Sequence, residues 1–176
     1  AAGGPVKQGL WAKLDALARK CSPFAMTLVL VLISIVPAHT PGYARIAPLF
    51  PLMAVYHWAV NRPELLPALA VFTIGLLVDM LGGTPIGVNA LVFLAVYGVV
   101  AAQRRFLIGK PFWIAWLGFA LTAAAAALQT WVLLSLFETT LLAPDAIVFQ
   151  YLTTLGCFPI LAWILLRWQR AYLQRN

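Results

Sequence analysis

The sequence of 176 residues has very little charge: 10% of it is Asp, Glu, Lys or Arg, whereas 63% is hydrophobic. Its mean hydropathy of +0.92 is far above the values of soluble globular domains. Uncharged apolar runs of about 17–25 residues are typical of helices that cross a bilayer about 30 Å thick. A soluble domain could not hide this much apolar surface. We therefore expect an all-α polytopic membrane protein.

Cysteine, histidine and the short motifs of catalytic sites are also scarce. Cys21 and Cys157 fall at different depths of the predicted membrane domain, which excludes a disulfide between them. His39 and His57 cannot jointly bind a metal ion with Asp79, and no HExxH, CxxC or phosphate-binding glycine loop is present. An intramembrane enzyme would need a second reactive group beside that aspartate. The sequence therefore predicts no enzyme, no metal site and no cofactor.

Six apolar segments are separated by short connections, and we expect each to form a transmembrane helix. They cover residues 22–37, 46–60, 63–81, 88–102, 111–136 and 146–167. The chain is then divided into an N-terminal arm (1–21), a single six-helix membrane domain (22–167) and a basic tail (168–176).

The basic residues predict the orientation of the helices. If six helices alternate in direction, eleven of the twelve Lys and Arg residues fall on one side of the membrane and only Arg45 falls on the other. Basic residues collect on the cytoplasmic face of membrane proteins. Both termini are therefore expected in the cytoplasm, and we interpret the net charge of +7 as topology rather than as a nucleic-acid site.

The N-terminal arm has an amphipathic pattern. Its stretch KQGLWAKLDALARK puts the leucines and the tryptophan on one helical face and the lysines elsewhere. This pattern favours a helix that lies on the lipids of the inner leaflet. The alternative is a solvated arm that becomes ordered only against a partner.

The stretch GLLVDMLGGTPIGVNAL, residues 75–91, places a carboxylate beside a tight turn within apolar sequence. Counting the helical rise from the preceding connection puts Asp79 about one turn below the outer surface. A carboxylate at that depth and at a helix C-terminus needs compensating groups. It pairs either with Arg45, with Asn89 or the 82–87 amides as further donors, or with turn amides alone. In the second case the arginine reaches lipid phosphates instead.

The glycines of this stretch predict a tight helical hairpin. Gly82 and Gly83 can supply the left-handed conformation that ends a helix, and Pro85 fixes the turn. Gly87 is expected to let the fourth helix begin close against the third. We therefore interpret the motif, including Asn89 at the start of the fourth helix, as structural.

Small residues recur at four-residue spacing in the fifth segment, at Gly118, Thr122 and Ala126. Small side chains let helices approach closely in lipid. The row is therefore a candidate for internal helix packing or for the docking face of a partner helix.

An ordered set of residues between about 60 and 120 is similar to a known family. The set comprises Arg62-Pro63, GLLVD with Asp79, GGTPIG, Asn89-Ala90-Leu91, Arg104-Arg105 and PFWIAWLGFAL. It resembles the core of MreD, the family of bacterial rod shape-determining membrane proteins. The chain length and the six-helix plan suit that family too.

The resemblance implies a noncatalytic scaffold of the cell-elongation machinery in the bacterial inner membrane. Members of the family are partners of MreC, a single-pass membrane protein. Together with MreC they are linked to MreB and to the peptidoglycan polymerase and transpeptidase. The family is similar in architecture to the substrate-binding subunits of energy-coupling-factor vitamin transporters, so a solute-capturing subunit is the alternative. That alternative predicts a polar cavity lined by Asp79, Asn89 and Gln129, whereas a scaffold predicts a filled hairpin and a hydrophobic surface groove.

Overall fold

The computed structural model describes residues 22–34, 47–138 and 145–173, which form α-helices and no β-strand. The helices are α1 (Ser22–Ser34), α2 (Phe50–Asn61), α3 (Ala68–Gly82), α4 (Val88–Leu107), α5 (Phe112–Glu138) and α6 (Asp145–Leu173), with a 3₁₀ turn at Pro63–Leu65. The all-α prediction is confirmed. The predictions for the arm 1–21 and for Arg45 lie outside the described residues.

Three of these helices are long and apolar enough to cross a membrane, as judged by length and composition. They are Val88–Leu107, Phe112–Phe137 and Asp145–Ala171. The described parts of α1 and α3 are apolar but shorter. The 12 residues of α2 extend only about 18 Å at 1.5 Å per residue. The helices fit a membrane protein, and the expectation that six of them cross the membrane stays a prediction.

Helix α2 lies at the centre of the fold. Its residues from Pro51 to Val60 are all buried, and it packs against α4, α5 and α6. A helix that is apolar on every side needs such enclosure by other elements. By contrast, α5 exposes large apolar side chains, such as Leu121 and Leu128. The core is therefore built around α2, and the outer helices carry the apolar surface that lipid requires.

A proline shortens the third predicted helix. That helix was expected from residue 63, but Pro67 immediately precedes the first turn of α3. Leu66 lies outside the helical region, at φ −127° and ψ 81°, because the residue before a proline is disfavoured there. Only the isolated 3₁₀ turn forms ahead of it. Conversely, α4 and α6 run five or six residues beyond their predicted ends, to Leu107 and Leu173.

Helix α6 contains Pro159 in its interior. A proline cannot donate to the carbonyl four residues earlier, which here belongs to Leu155. The indole Nε1 of Trp116 donates to that carbonyl at 3.4 Å. A side chain of α5 thus satisfies the acceptor that the proline leaves open, as the interior of a membrane protein requires.

The two ends of the helix bundle differ in charge. All six basic residues within the described residues lie at one end, which we call the basic end: Arg62, Arg104, Arg105, Lys110, Arg167 and Arg170. Contacts between distant segments bring this end together, for example Arg104 with Glu64 at 3.9 Å. The opposite end contains the α3–α4 turn and the start of α6, and we call it the hairpin end. Which of the two ends faces the cytoplasm stays a prediction.

Candidate functional site

Two glycines shape the turn between α3 and α4. Gly83 follows the last residue of α3 with φ 70°, and Gly87 precedes α4 with φ 104°. Side chains other than that of glycine rarely adopt such angles. Pro85 lies between the two glycines, and its carbonyl accepts from the amide of Val88 at 3.2 Å. Gly82 is still helical, so the left-handed conformation expected for the pair belongs to Gly83.

The carboxylate of Asp79 is buried, with 1% of the residue exposed, and it closes this turn. Its Oδ1 accepts from Thr84 Oγ1 at 2.7 Å and from the amide and side-chain nitrogens of Asn89 at 3.0 and 2.9 Å. Its Oδ2 accepts from the amides of Gly87 at 2.9 Å and Ala90 at 3.4 Å. Every donor belongs to the turn or to the first residues of α4. The side chain therefore joins the end of α3 to the start of α4.

The start of α4 supplies the electrostatic compensation that the carboxylate needs. The first amides of a helix have no partner within that helix, and the helix dipole places partial positive charge there. Such an N-terminus readily binds an anion. The carboxylate of Asp79, which belongs to α3, is the anion bound at the N-terminus of α4. At its own position near the C-terminus of α3, the helix dipole disfavours a negative charge. A further bond from Asn89 Nδ2 to Thr84 Oγ1, at 3.2 Å, links two of its donors to each other.

The described donors to Asp79 include Asn89 and the Gly87 amide, which the first alternative named beside Arg45, and they also include the side chain of Thr84. Arg45 lies outside the described residues, so its pairing with Asp79 stays a hypothesis. The carboxylate already accepts five hydrogen bonds without it. A reactive or solute-binding role would have to compete with these bonds.

Helices α3 and α4 approach closely at Gly75, a residue that the sequence analysis did not single out. A Cβ there would lie 2.4 Å from Ala90 Cα and 2.9 Å from the carbonyl oxygen of Asn89. The close contact was expected at Gly87, but a Cβ at that residue would meet no atom within 4 Å. Gly87 is instead required for its backbone angle. The signal for Gly75 was its position one helical turn before Asp79, on the same face.

Among the small residues of α5, Gly118 packs against other helices of the same chain. A Cβ at Gly118 would lie 2.8 Å from Tyr56 Oη and 2.9 Å from Leu107 Cδ2, so this glycine makes room for α2 and α4. Thr122 donates to the carbonyl of Gly118 at 2.6 Å, and Ala126 is buried. All three residues line a groove of about 320 Å³ between α4 and α5, which we call the α4–α5 groove.

The solute-capturing alternative predicted one cavity lined by Asp79, Asn89 and Gln129, and the cavities described within residues 22–34, 47–138 and 145–173 do not combine the three. Asp79 is enclosed by its own donors. Asn89 lines a cavity of about 240 Å³ at the hairpin end, together with Ser34 and Gln150. Gln129 lines the α4–α5 groove instead. In the described part of the chain, the three side chains therefore do not converge on one cavity.

A second group of polar side chains lies at the basic end, where His57 is buried and Asn61 and Gln169 are half-buried. His57 Nε2 is 3.3 Å from Gln169 Oε1, and Asn61 Nδ2 is 3.4 Å from His57 Nδ1 and donates to the His57 carbonyl at 2.9 Å. His57 is 4% exposed. The four-residue spacing of His57 and Asn61 on α2 could suggest their contact from the sequence, but nothing in the sequence indicates Gln169 on α6. No three His, Cys, Asp or Glu side chains within the described ranges are placed to bind one metal ion.

Comparison with known proteins assigns the chain to a family. A search of curated proteins and a search of solved structures found no match. A family model described as rod shape-determining protein MreD matches residues 18–176, which is nearly the whole chain. The match extends well beyond residues 60–120, which carry the sequence resemblance. This chain belongs to the MreD family of rod shape-determining proteins.

Proposed function

We propose that this chain is a noncatalytic scaffold subunit of the rod-shape machinery, which binds an MreC-like single-pass protein within the bacterial inner membrane. Through that partner it is linked to MreB and to the enzymes of peptidoglycan synthesis. Six helices cross the membrane, and both termini are cytoplasmic. Family membership supports a role in rod-shape determination.

The observation that carries this proposal is that the carboxylate of Asp79 is enclosed and hydrogen-bonded within its own hairpin. It is the buried acidic residue of the described part of the chain, and five hydrogen bonds from its own hairpin use its acceptor capacity. A proton carrier or an intramembrane enzyme needs a carboxylate that is accessible to substrate. A scaffold needs only a rigid helix arrangement, which the hairpin provides.

The α4–α5 groove is the surface that we propose for the partner helix. Its walls carry small residues, which let a helix approach closely in lipid, among them Ala95, Thr122 and Ala125. Gln103 and Gln129 also line it, and a carboxamide beside lipid gains from an interhelical hydrogen bond. A neighbouring groove between α5 and α6, lined by Ala124, is almost wholly apolar and suits lipid chains.

Two exposed alanines on α5 provide a matched test. Ala125 lines the α4–α5 groove, and Ala124 lines the α5–α6 groove one residue earlier. We expect Ala125→Phe to reduce co-purification of the MreC-like protein in mild detergent, because the ring fills the proposed docking surface. Ala124→Phe should leave co-purification unchanged. Equal effects of the two substitutions would contradict the assignment of the groove.

The proposed function itself has a separate test. Affinity purification of the unaltered chain should recover an MreC-like protein, and its depletion should make rod-shaped cells round. Absence of the partner from the purified material, together with normal rod shape after depletion, would contradict the scaffold function. A reporter that is active only in the cytoplasm, fused after residue 176, tests the orientation.

A further inference from the structure

A cavity at the basic end is not explained by the scaffold function. It has a volume of about 320 Å³ and lies between α2, the α4–α5 connection and α6. Its size falls within the range of about 300–1,000 Å³ that is usual for small-molecule sites. The cavity lining includes His57, which is buried, and Asn61, which is half-buried and hydrogen-bonded to His57.

The lining of this cavity has a polar part and an apolar part. Tyr56, His57, Asn61 and Lys110 contribute the polar groups. The apolar part is formed by Leu107, Phe112, Phe158, Ala162 and Leu166. A ligand that fits both parts has a polar head and an apolar tail.

The aromatic wall of the cavity belongs to a cluster of stacked rings. Phe158 stacks on Phe119 with the ring centroids 4.0 Å apart and an interplanar angle of 9°. Phe112 lies parallel to Phe158 within 19°, at 6.4 Å. These rings are packed against the central helix through Tyr56, whose ring meets both Phe119 and Phe158 edge to face. A preformed apolar wall suits an acyl chain, which is not required to reorganise it.

The charge of the basic end requires an anionic head. Lys110 is the cation in the cavity lining, and it is exposed and follows Gly109, whose φ is 75°. Arg104 already meets Glu64 at 3.9 Å. The other basic residues of this end add positive potential around the opening. An ammonium in the head would be repelled, whereas a phosphate would be attracted.

The neutral polar groups of the lining favour a head that also carries hydroxyl donors. The Tyr56 hydroxyl donates to the carbonyl of Ala115 at 2.9 Å and keeps lone pairs that can accept. Asn61, which also lines the cavity, uses its Nδ2 on His57, and its carboxamide oxygen is an acceptor. His57 itself is held between Asn61 and Gln169. The lining thus offers one cation and two acceptors.

We propose that the basic-end cavity binds a phosphodiester lipid whose head carries hydroxyl groups, of the phosphatidylglycerol type. The phosphate meets Lys110, the head hydroxyls donate to Asn61 and Tyr56, and an acyl chain lies along the Phe112 and Phe158 wall. The site uses no residue of the hairpin and none of the α4–α5 groove residues proposed to meet the partner helix, apart from the shared side chain of Leu107.

Native mass spectrometry of the delipidated full-length chain tests this proposal. Phosphatidylglycerol should bind with at least tenfold higher affinity than phosphatidylcholine of the same chain length. Lys110→Gln should lower the affinity for phosphatidylglycerol about tenfold, because it removes one charge-assisted contact. Lys110→Arg should retain it. Arg105→Gln, which removes an exposed cation from the last turn of α4 outside the cavity, should change the affinity less than twofold.

Three outcomes would overturn the proposal. Equal losses for Lys110→Gln and Arg105→Gln would show attraction to the basic end in general. Equal binding of both lipids would show unspecific lipid contact. Full competition by water-soluble glycerophosphoglycerol, at the affinity of the lipid, would show a soluble phosphodiester site without an acyl chain. None of these results depends on the MreC-like partner, so failure of this proposal is distinct from failure of the scaffold function.

Discussion

The hairpin end and the basic end of the bundle both bury polar side chains, but they satisfy them in different ways. At the hairpin end, a charged carboxylate receives all its described hydrogen bonds from residues 84–90 of the same hairpin. At the basic end, the side chain of His57 on α2 lies between Asn61 on the same helix and Gln169 on α6, beside a cavity. The first group is local in sequence and closed, and the second joins distant helices and is open.

The difference follows from the cost of burying a charge. An ionised group inside a low-dielectric region is tolerated only when its acceptor capacity is used, and a nearby helix N-terminus supplies several donors at once. Neutral amide and imidazole groups cost less and can share a boundary with a cavity. We therefore infer that the polar side chains of the hairpin end stabilise the fold, whereas those of the basic end border the proposed lipid site.

The largest effect is expected when the hairpin carboxylate is replaced by an amide. Asp79→Asn keeps one acceptor oxygen but turns an NH₂ group toward donors that now lack an acceptor, such as the amide of Gly87. The free energy of unfolding should fall by about 3 kcal/mol, because unsatisfied buried groups cost about 1–3 kcal/mol each. Reversible unfolding by SDS in mixed micelles measures it.

A milder substitution in the same network provides a loss of stability for comparison. Thr84→Val removes one donor and leaves the carboxylate with its backbone amides, so a loss of about 1 kcal/mol is expected. A loss for Asp79→Asn no greater than that for Thr84→Val would contradict the closed network.

The next largest effect is expected where the two hairpin backbones touch. Gly75→Ala inserts a methyl group 2.4 Å from Ala90 Cα and forces α3 and α4 apart. Overpacking of this kind costs about 1–3 kcal/mol, and it also lengthens the bonds to Asp79. Thermal unfolding in detergent should show the loss.

Gly98 in the middle of α4 provides the control, because a Cβ there meets no atom within 4 Å. Gly98→Ala should leave stability unchanged or raise it by about 0.5–1 kcal/mol. If both alanine variants behaved alike, the backbone contact at Gly75 would not limit the hairpin.

The smallest effect is expected at the basic end. Gln169→Leu removes the partner of His57 Nε2 and fills similar volume, so the free energy of unfolding should fall by about 1 kcal/mol. The same SDS titration applies. A loss larger than that of Asp79→Asn would reverse the contrast between the two ends.

The elements of the fold were largely predictable from the sequence, since apolar runs and Gly-Pro turns are local signals. The hairpin was expected around Gly83, Pro85 and Gly87, and it lies there. The predicted start of the third helix at residue 63 was wrong, because Pro67 delays the first turn of α3 to residue 68. The candidate residues of the hairpin were predictable because they lie within one short stretch.

Other features depend on contacts that sequence spacing does not encode. Nothing near His57 indicates that Gln169, on the last helix, is its partner. The role of Gly75 depends on how closely two backbones pack, which composition does not report. The basic-end cavity needs three segments from separate parts of the chain.

The central claim, that Asp79 is structural, is tested most directly by cell shape at equal amounts of folded protein. The chain or its Asp79→Asn variant is expressed in rod-shaped cells that lack their own MreD protein, with expression adjusted until the folded amounts in the membrane match. The aspect ratio of the cells is then measured. We predict that both give rods of the same aspect ratio. Round cells at matched folded amounts would contradict the account, because the carboxylate would then have a role beyond holding the hairpin together.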